Sequence, residues 1–370
     1  MHLTLHVTDA CNMSCIYCAR SHSDRHMSFQ TARAAVDFAI RLNNKNQKSC
    51  ISPYTGICFF GGEPLLARPL IEEVVAYCSD IGKKTKERFR FIVVTNGTLL
   101  DTSFVEFART NDIQVDLSHD GLMHQHTRQM QNNTPSFEKL EPKIDLLLEK
   151  RPQSAALCTV HPNFANQFVD SVEWLLDRGF QKVHTVPAIG AHIDWTSEAI
   201  NILKKQYQLL SNLYVTRTLR GERFSLPMLD VKIKRHIMQE TIPPQSCSFG
   251  QKQLSVTPDG RIYPCLQFID QKKYLMGDVF EGLNPSQVRF VIEEGKREAQ
   301  ACQQCALKNR CKYNCCCQNI LLTGAIDKVS ALTCSFERMT IEAADRAANL
   351  LYEKKDPQFI NRHYKSIKKR

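Results

Sequence analysis

Three cysteines occupy eight residues in the stretch Cys11-Asn-Met-Ser-Cys15-Ile-Tyr-Cys18, directly after the alternating segment Leu3-Thr-Leu5-His-Val7-Thr8. A short strand that ends in such a loop can turn three sulfurs toward one metal centre. Three is the informative number. Four thiolates close a tetrahedral zinc site or saturate an iron–sulfur cubane, whereas three leave one metal position open to a substrate or cofactor.

The chain has 370 residues, 43% of them apolar and 23% charged, enough for one large domain with an appendage or for two ordinary domains. It has no run of eighteen apolar residues and no charged-then-apolar signal pattern at its start, so a cytoplasmic protein with no membrane partner is expected. Sixteen cysteines in such a chain point to metal rather than to disulfides. The net charge of +10 is spread along the sequence, apart from the basic tail at 362–370. That tail reads as a solvated end, and no other feature asks for nucleic acid.

Ser28 is a candidate N-cap for a helix over 29–42, and a second helix is expected over 70–81. Between them the apolar run Gly56-Ile-Cys-Phe-Phe60 stops at Gly61-Gly62-Glu63-Pro64. The same unit recurs. Residues 89–94 end in Thr95-Asn96-Gly97, and 113–117 end in Ser118-His119-Asp120-Gly121. Segments 155–160 and 182–186 complete six strand candidates, mostly separated by helix-length stretches. Such alternation predicts a parallel α/β sheet with its function at the C-terminal strand ends. Residues 191–246 read as a polar helical connector, and a helix over 336–354 is expected to pack back on the first domain.

A cubane held by three thiolates has one iron free to chelate the amino and carboxylate groups of an amino-acid-like cofactor. With S-adenosylmethionine there, an electron from the reduced cluster breaks a carbon–sulfur bond and yields an adenosyl radical, which abstracts hydrogen. Gly61 and Gly62 would let the backbone approach that cofactor, Glu63 or nearby carbonyls would accept from its ammonium group, and Tyr17 would lie near the adenine. The three-cysteine spacing, the Gly-Gly-Glu-Pro turn and the six βα units together resemble the radical S-adenosylmethionine enzymes over about residues 1–190. The resemblance implies a partial (β/α)6 TIM-like barrel of the α/β class and one cofactor-binding 4Fe–4S cluster. It also implies Asn96, Ser118 and Arg128 as further cofactor contacts.

Nine of the sixteen cysteines fall between Cys247 and Cys334. The succession Cys247, Gly260, Cys265, then Cys302-x2-Cys305-x5-Cys311-x3-Cys315 and finally Cys334 resembles the SPASM auxiliary-cluster domain, shared by radical enzymes that modify peptides and proteins. By position in that pattern, Cys302, Cys305, Cys311 and Cys334 would hold one auxiliary 4Fe–4S cluster. Cys247, Cys265 and Cys315 would hold another. Cys316 and Cys317 are candidates for its fourth ligand, and a substrate thiolate is the alternative. Structural zinc is the competing use of such cysteines. Between Cys247 and Cys265 a hairpin is expected with its turn at Asp259-Gly260. The organisation expected is therefore a barrel over 1–190, a connector over 191–246, a small cluster-organised domain over 247–335, and a C-terminal helix and tail over 336–370.

Cys50, Cys58, Cys78 and Cys158 fit neither cysteine pattern and read as small buried residues. His119, His124 and His126 read as polar loop residues, and Asp116 as a capped core carboxylate. The expected activity is oxidation of a residue in a peptide or protein, as a thioether or carbon–carbon cross-link or another side-chain oxidation, with an electron donor such as flavodoxin or ferredoxin. Formylglycine formation in a sulfatase and a radical step in small-molecule or cofactor biosynthesis are the alternatives. The sulfatase-maturing branch carries an acidic base after the second auxiliary cysteine, where this chain has Leu266. Asp270 and Glu281 are the candidates to replace it. With the first cysteine at residue 11, no leader-binding domain is expected ahead of the barrel.

Overall fold

The computed structural model describes residues 1–20, 22–46, 54–238, 249–312 and 315–364. The sequence candidates Cys50 and Cys247, and residues 365–370 of the basic tail, lie outside them. In chain order the first elements are β1 (His2–Thr8), α1 (Phe29–Asn46), β2 (Thr55–Gly61), α2 (Arg68–Lys84), β3 (Phe89–Thr95), α3 (Thr102–Thr110), β4 (Ile113–Ser118), α4 (His124–Thr127) and α5 (Phe137–Lys150). Next come β5 (Ala155–Val160), α6 (Phe168–Asp177), β6 (Lys182–Pro187), α7 (Ser197–Leu219) and α8 (Pro227–Met238). The remainder comprises β7 (Gln253–Val256), β8 (Arg261–Tyr263), β9 (Gly277–Asp278), β10 (Gly282–Leu283), α9 (Pro285–Lys296), α10 (Cys316–Thr323), α11 (Ala331–Glu353) and α12 (Pro357–Tyr364). The six expected strands all form. Ser28 caps α1, accepting the Thr31 N–H at 3.0 Å.

The chain divides into two compact units. One comprises Met1–Ser118, Gln129–Arg151 and Cys247–Arg297; the other comprises His119–Arg128, Pro152–Ser246 and Glu298–Arg370. In the first unit β1, β2, β3 and β4 run parallel in sequence order, and β7 joins β1 on its other side, also parallel, with Leu3 opposite Leu254. The hairpin β7–β8 turns at Asp259-Gly260 as expected, and β9 and β10 continue it antiparallel. Period-two alternation sorts the two faces of this sheet. Leu3, Leu5, Val7, Ile57, Phe59, Val93, Val115 and Leu117 are buried on one face, and α1, α2 and α3 contribute Val36, Val74 and Phe104 to the core. Thr4 and His6 of the opposite face are buried as well, and Cys58 on that face lies within electrostatic reach of Asp116.

In the second unit β5 and β6 pair in parallel. Helix α11 packs on α7 and α8. The stretch that reads as a polar connector is thus a core element, since α7 buries Leu203, Tyr207, Leu210 and Tyr214. Lys232 on α8, 2% exposed, pairs with Glu337 on α11 and donates to the Arg310 carbonyl at 2.6 Å. Tyr214 donates to Asp230 at 2.7 Å and meets His363 of α12 at 3.1 Å.

Candidate active site and cysteine centres

The loop bearing Cys11, Cys15 and Cys18 leaves the C-terminal end of β1 and is tied down by the turn that ends β2. Gly62 N–H donates to the Thr8 carbonyl and Glu63 N–H to the Ala10 carbonyl, both at 2.8 Å. A Cβ on Gly61 would stand 2.1 Å from the Thr8 oxygen, and one on Gly62 would stand 2.2 Å from the Ala10 oxygen. Gly61 also has φ +149°, a region that side chains disfavour. The close approach these glycines permit is therefore to the chain's own cysteine loop, and not solely to a ligand.

Glu63 is 1% exposed, and its carboxylate accepts from Thr95 Oγ1 at 2.6 Å, Asn96 N at 2.7 Å and Leu65 N at 3.0 Å. It fastens the end of β2 to the end of β3, and a cofactor ammonium group would share a carboxylate already engaged. Asn96 donates from Nδ2 to Asn12 at 2.9 Å, and Asn12 donates to Thr98 at 2.8 Å, so the β3 end also grips the cysteine loop. Two further ties carry no motif in the sequence. Gln131 Nε2 donates to the Cys11 carbonyl at 2.6 Å, and Ser14 N–H donates to the Gln129 carbonyl at 2.7 Å. Tyr17 is half-buried within the loop, and Ser118 is half-buried at the end of β4.

Burial pushes the Cys11 thiol up to about 11, with the charges of Glu63, Cys15 and Cys18 acting in the same direction and the Met13 N–H opposing them. The three sulfurs therefore sense one another. Cys18 is exposed, with His22 Nε2 3.8 Å from its sulfur. Among the described residues no three Cys, His, Asp or Glu side chains are gathered as donors to a single ion. A cubane takes one thiolate per iron, so three soft donors spread along one loop suit a cluster. Because Cys11 is a thiol at neutral pH, loading a metal there releases a proton.

Arg20, two residues beyond Cys18, reaches the Cys265 turn and donates to the Leu266 carbonyl at 2.9 Å. Its pKa is lowered by burial and drawn back up by Cys18, Asp9, Asp270 and Cys265. One guanidinium thus lies within electrostatic reach of a cysteine of the first motif and a cysteine of the second. Asp270 is exposed at φ +67°, within reach of both Arg20 and Arg25. Glu281 is exposed in the turn between β9 and β10.

In the second unit Arg128 is 8% exposed and pairs with the buried Asp120 at 3.1 Å. Asp120 also accepts from Thr127 Oγ1 at 2.7 Å and from Thr159 N at 2.8 Å. The Asp120-Gly121 turn packs tightly, since a Cβ on Gly121 would meet the Ser171 carbonyl at 2.4 Å. His119 and His124 are fully buried, their rings 4.1 Å apart, and His119 stacks on Trp174 at 5.1 Å. The expectation of polar loop histidines fails for these two, because aromatic packing removes them from water and burial holds both well below the usual histidine range. His126 is exposed and stacks on Phe164 at 4.8 Å.

Cys302 and Cys311 are buried together with Ala299, and the half-buried Val329 packs against them. The Cys302 thiol is raised by burial and further by Cys334 and Cys305. Four cysteines separated by as many as thirty-two residues are thereby brought into one neighbourhood by the 302–311 loop and the first turn of α11. Cys315 stands at the N-cap of α10, with Cys317 Sγ 3.1 Å from its own. Cys265 belongs to the first unit and Cys315 to the second. Cys78 and Cys158 are buried as expected and Cys58 is half-buried; burial pushes Cys58 and Cys78 to about 12.

Residues 5–175 match the profile of the Radical SAM superfamily. Over 137 residues the chain is 37% identical to an uncharacterized protein of Methanocaldococcus jannaschii, covering 36% of this chain and 44% of that relative's length. Over 324 residues it is 22% identical to the cysteine-type anaerobic sulfatase-maturating enzyme of Clostridium perfringens, covering 83% of this chain and 86% of that enzyme. Among solved structures, native anSMEcpe with bound AdoMet and a Cp18Cys peptide has a TM-score of 0.78 at 20% identity, over 95% of this chain and 98% of that one. Streptococcus suis SuiB bound to the precursor peptide SuiA has a TM-score of 0.59 at 15% identity, over 90% of this chain and 75% of that one. These likenesses establish the fold, an α/β domain built on parallel strands as in the partial barrel of those neighbours. Residues 5–175 are a Radical SAM domain, the chain is an enzyme, and such a domain implies S-adenosylmethionine and one 4Fe–4S cluster as cofactors.

Proposed function

We propose that this enzyme oxidises a residue of a peptide or protein, forming a cross-link such as a thioether or carbon–carbon bond, with its C-terminal cysteines holding two auxiliary iron–sulfur clusters. The observation that carries the reading is the cysteine loop at the end of β1, gripped by the β2 and β3 turns, together with the gathering of Cys302, Cys305, Cys311 and Cys334. Its likeness to two structures that hold peptides supports a peptide substrate. When bound, the cluster and S-adenosylmethionine supply an electron and a carbon-centred adenosyl radical that removes a hydrogen atom.

The chain's own residues have distinct parts. Cys11, Cys15 and Cys18 hold the first cluster. Gly61, Gly62, Glu63 and Asn96 fix that loop against the strand ends, and Tyr17, Ser118 and Arg128 are the remaining cofactor contacts, Arg128 having to share its pairing with Asp120. Cys302, Cys305, Cys311 and Cys334 hold one auxiliary cluster; Cys247, Cys265 and Cys315 contribute to the other. Arg20 holds the Leu266 turn beside Cys265. Asp270 and Glu281 are the two carboxylates considered as proton acceptor, and Asp270 lies within electrostatic reach of Arg20 and Arg25. Formylglycine formation has the sulfatase-maturating relative in its favour, and it would need Asp270 to act in place of the missing acid at Leu266. Flavodoxin or ferredoxin would deliver the electron. No described helix is long and apolar enough to cross a membrane.

Anaerobic reconstitution tests the reading: about twelve irons per chain support three clusters, about four leave the C-terminal cysteines to zinc, and none sinks the proposal. S-adenosylmethionine with dithionite should release 5′-deoxyadenosine, and Cys15→Ala should abolish the release while Cys50→Ala leaves it. Precursor-type peptides should then change mass. A mass loss confined to sulfatase-type cysteine or serine peptides would transfer the assignment to formylglycine formation, and unchanged mass in every peptide would favour a small-molecule substrate.

A further inference from the structure

With Cys302, Cys305, Cys311 and Cys334 taken as the ligands of one centre, as proposed above, we infer that the buried pair Lys232–Glu337 is a positioning device for that centre, holding Cys311 in place against Cys334. Glu337 follows Cys334 by three residues on α11, so the two lie on one side of that helix. Its Oε2 accepts the Lys312 N–H at 2.7 Å and also accepts from the Lys232 ammonium. Lys232 Nζ donates in turn to the Arg310 carbonyl at 2.6 Å. Arg310 and Lys312 are the two neighbours of Cys311. The pair therefore grips the backbone on both sides of one ligand, and its carboxylate stands one turn along the helix from another.

A buried ion pair is a poor way to add stability, because the lost hydration offsets much of the attraction. This one spends its hydrogen bonds on the cysteine loop. An apolar pair of similar volume would fill the space but leave the Arg310 carbonyl and the Lys312 N–H without these partners. The loop itself holds Cys311 by a long bond, from its N–H to the Lys308 carbonyl at 3.3 Å, and the residue has extended backbone at φ −90° and ψ 151°. Arg310 is anchored to the same two helices, pairing with Asp345 of α11 at 2.8 Å and donating to the Lys232 carbonyl at 3.3 Å. The position of Cys311 is thus set by α8 and α11, while the opposite charges of the pair balance beside it. Groups that orient a metal ligand in this way are worth about 10–100-fold in metal affinity.

The test uses the full chain with Glu337→Gln, and with Lys232→Met combined with Glu337→Leu. An amide oxygen can stand where Oε2 stands and accept from both donors, so Glu337→Gln should keep the wild-type iron count and EPR spectra after anaerobic reconstitution. The double variant, metal-free, should recover most of the wild-type melting temperature. Once reconstituted it should nevertheless lose iron from one centre to a chelator about 10–100-fold faster, with the EPR signal of an oxidised three-iron cluster. Release of 5′-deoxyadenosine from S-adenosylmethionine should persist in both as the check on folding. If the double variant does not fold, Lys232→Met with Glu337→Gln takes its place, removing the Arg310 tie alone; faster iron loss than wild type supports the inference and an equal rate overturns it. A double variant with wild-type chelation rate and spectra overturns it too, as does iron loss from Glu337→Gln as fast as from the double variant. Failure of the underlying reading has a separate signature, a wild-type chain with about four irons and zinc in the C-terminal cysteines. In that case zinc extracted faster from the double variant than from Glu337→Gln still supports the positioning role, and equal rates refute it.

Discussion

Replacing Glu63 by Gln asks whether the strand ends are held by this carboxylate. In the wild type one oxygen accepts from Thr95 Oγ1 at 2.6 Å and Leu65 N at 3.0 Å, and the other accepts from Asn96 N at 2.7 Å. Thr95 Oγ1 also accepts the Gly97 N–H at 3.0 Å, which commits the hydroxyl proton to Glu63. The better orientation of an amide therefore keeps its oxygen on Thr95 and Leu65 and turns its NH2 toward the Asn96 N–H, donor against donor. One charge-assisted bond worth about 2 kcal/mol is lost, and two others weaken by about 0.5 kcal/mol each, for a total near 3 kcal/mol. In a unit of this size that lowers Tm by about 6–12 °C, measurable by scanning calorimetry of the metal-free protein. Asn96 also holds Asn12 in the cysteine loop, so reconstituted Glu63→Gln should release less 5′-deoxyadenosine at equal iron content. A variant that melts within about 1 °C of the wild type would refute the assignment of Glu63 as the tie between β2 and β3.

Gly62→Ala sets a Cβ 2.2 Å from the Ala10 carbonyl oxygen and 2.8 Å from that of Asp9, both backbone atoms, so the cysteine loop must move. The expected result is loss of the first cluster alone, about four irons by chemical analysis, with the remaining centres intact. Lys232→Met leaves Glu337 facing the Lys312 N–H without its cation and should cost about 3–5 kcal/mol in urea unfolding; Lys232→Met with Glu337→Leu should recover a large part of that loss. His363 is held down to about 4 by burial, with Asp230 opposing and Arg362 and Lys234 adding to the depression. The folded state therefore prefers the neutral ring. That preference contributes stability above the ordinary histidine pKa of 6.5 and is lost as pH falls toward 4, with a slope of at most about 1.4 kcal/mol per pH unit. Urea midpoints of the wild type and His363→Gln should converge across that window, and a constant difference from pH 7 to 4 would count against the assignment.

What could be read from the sequence was local. The strands announced themselves because each is a short alternating or apolar run, three of them cut off by glycine, asparagine or serine, and their ends located the cysteine loop, the Gly-Gly-Glu-Pro turn and Asn96 correctly along the chain. Partnerships were harder. The parallel pairing of β7 with β1 joins residues some 250 positions apart, and no pattern in Gln253–Val256 distinguishes it from a free-standing hairpin. His119 and His124 sit among glycine and aspartate, a context that suggests a loop, and only Trp174, far along the chain, explains why both are dry. Helix α7 misled because lysines and glutamines intervene between its buried positions. Its burial covers a wide face, including Ser211, Arg217 and Thr218, so no narrow apolar stripe stands out.

The Gly-Gly-Glu turn shows how a motif can be recognised for one reason and required for another. Its glycines suggest room for a ligand, yet every atom that a Cβ on Gly61 or Gly62 would strike first belongs to Thr8, Asp9 or Ala10. Its glutamate suggests an acceptor for a cofactor, yet the carboxylate already answers Thr95, Asn96 and Leu65. The same bonds that engage these groups fix Cys11 from the β2 side, while Gln131 holds its carbonyl from the other direction and Asn96 reaches Asn12. Cys18, at the far end of the loop, is exposed. The loop is thus anchored at its first cysteine and open at its third, an order that lets one sulfur define the position of a cluster while the others close upon it.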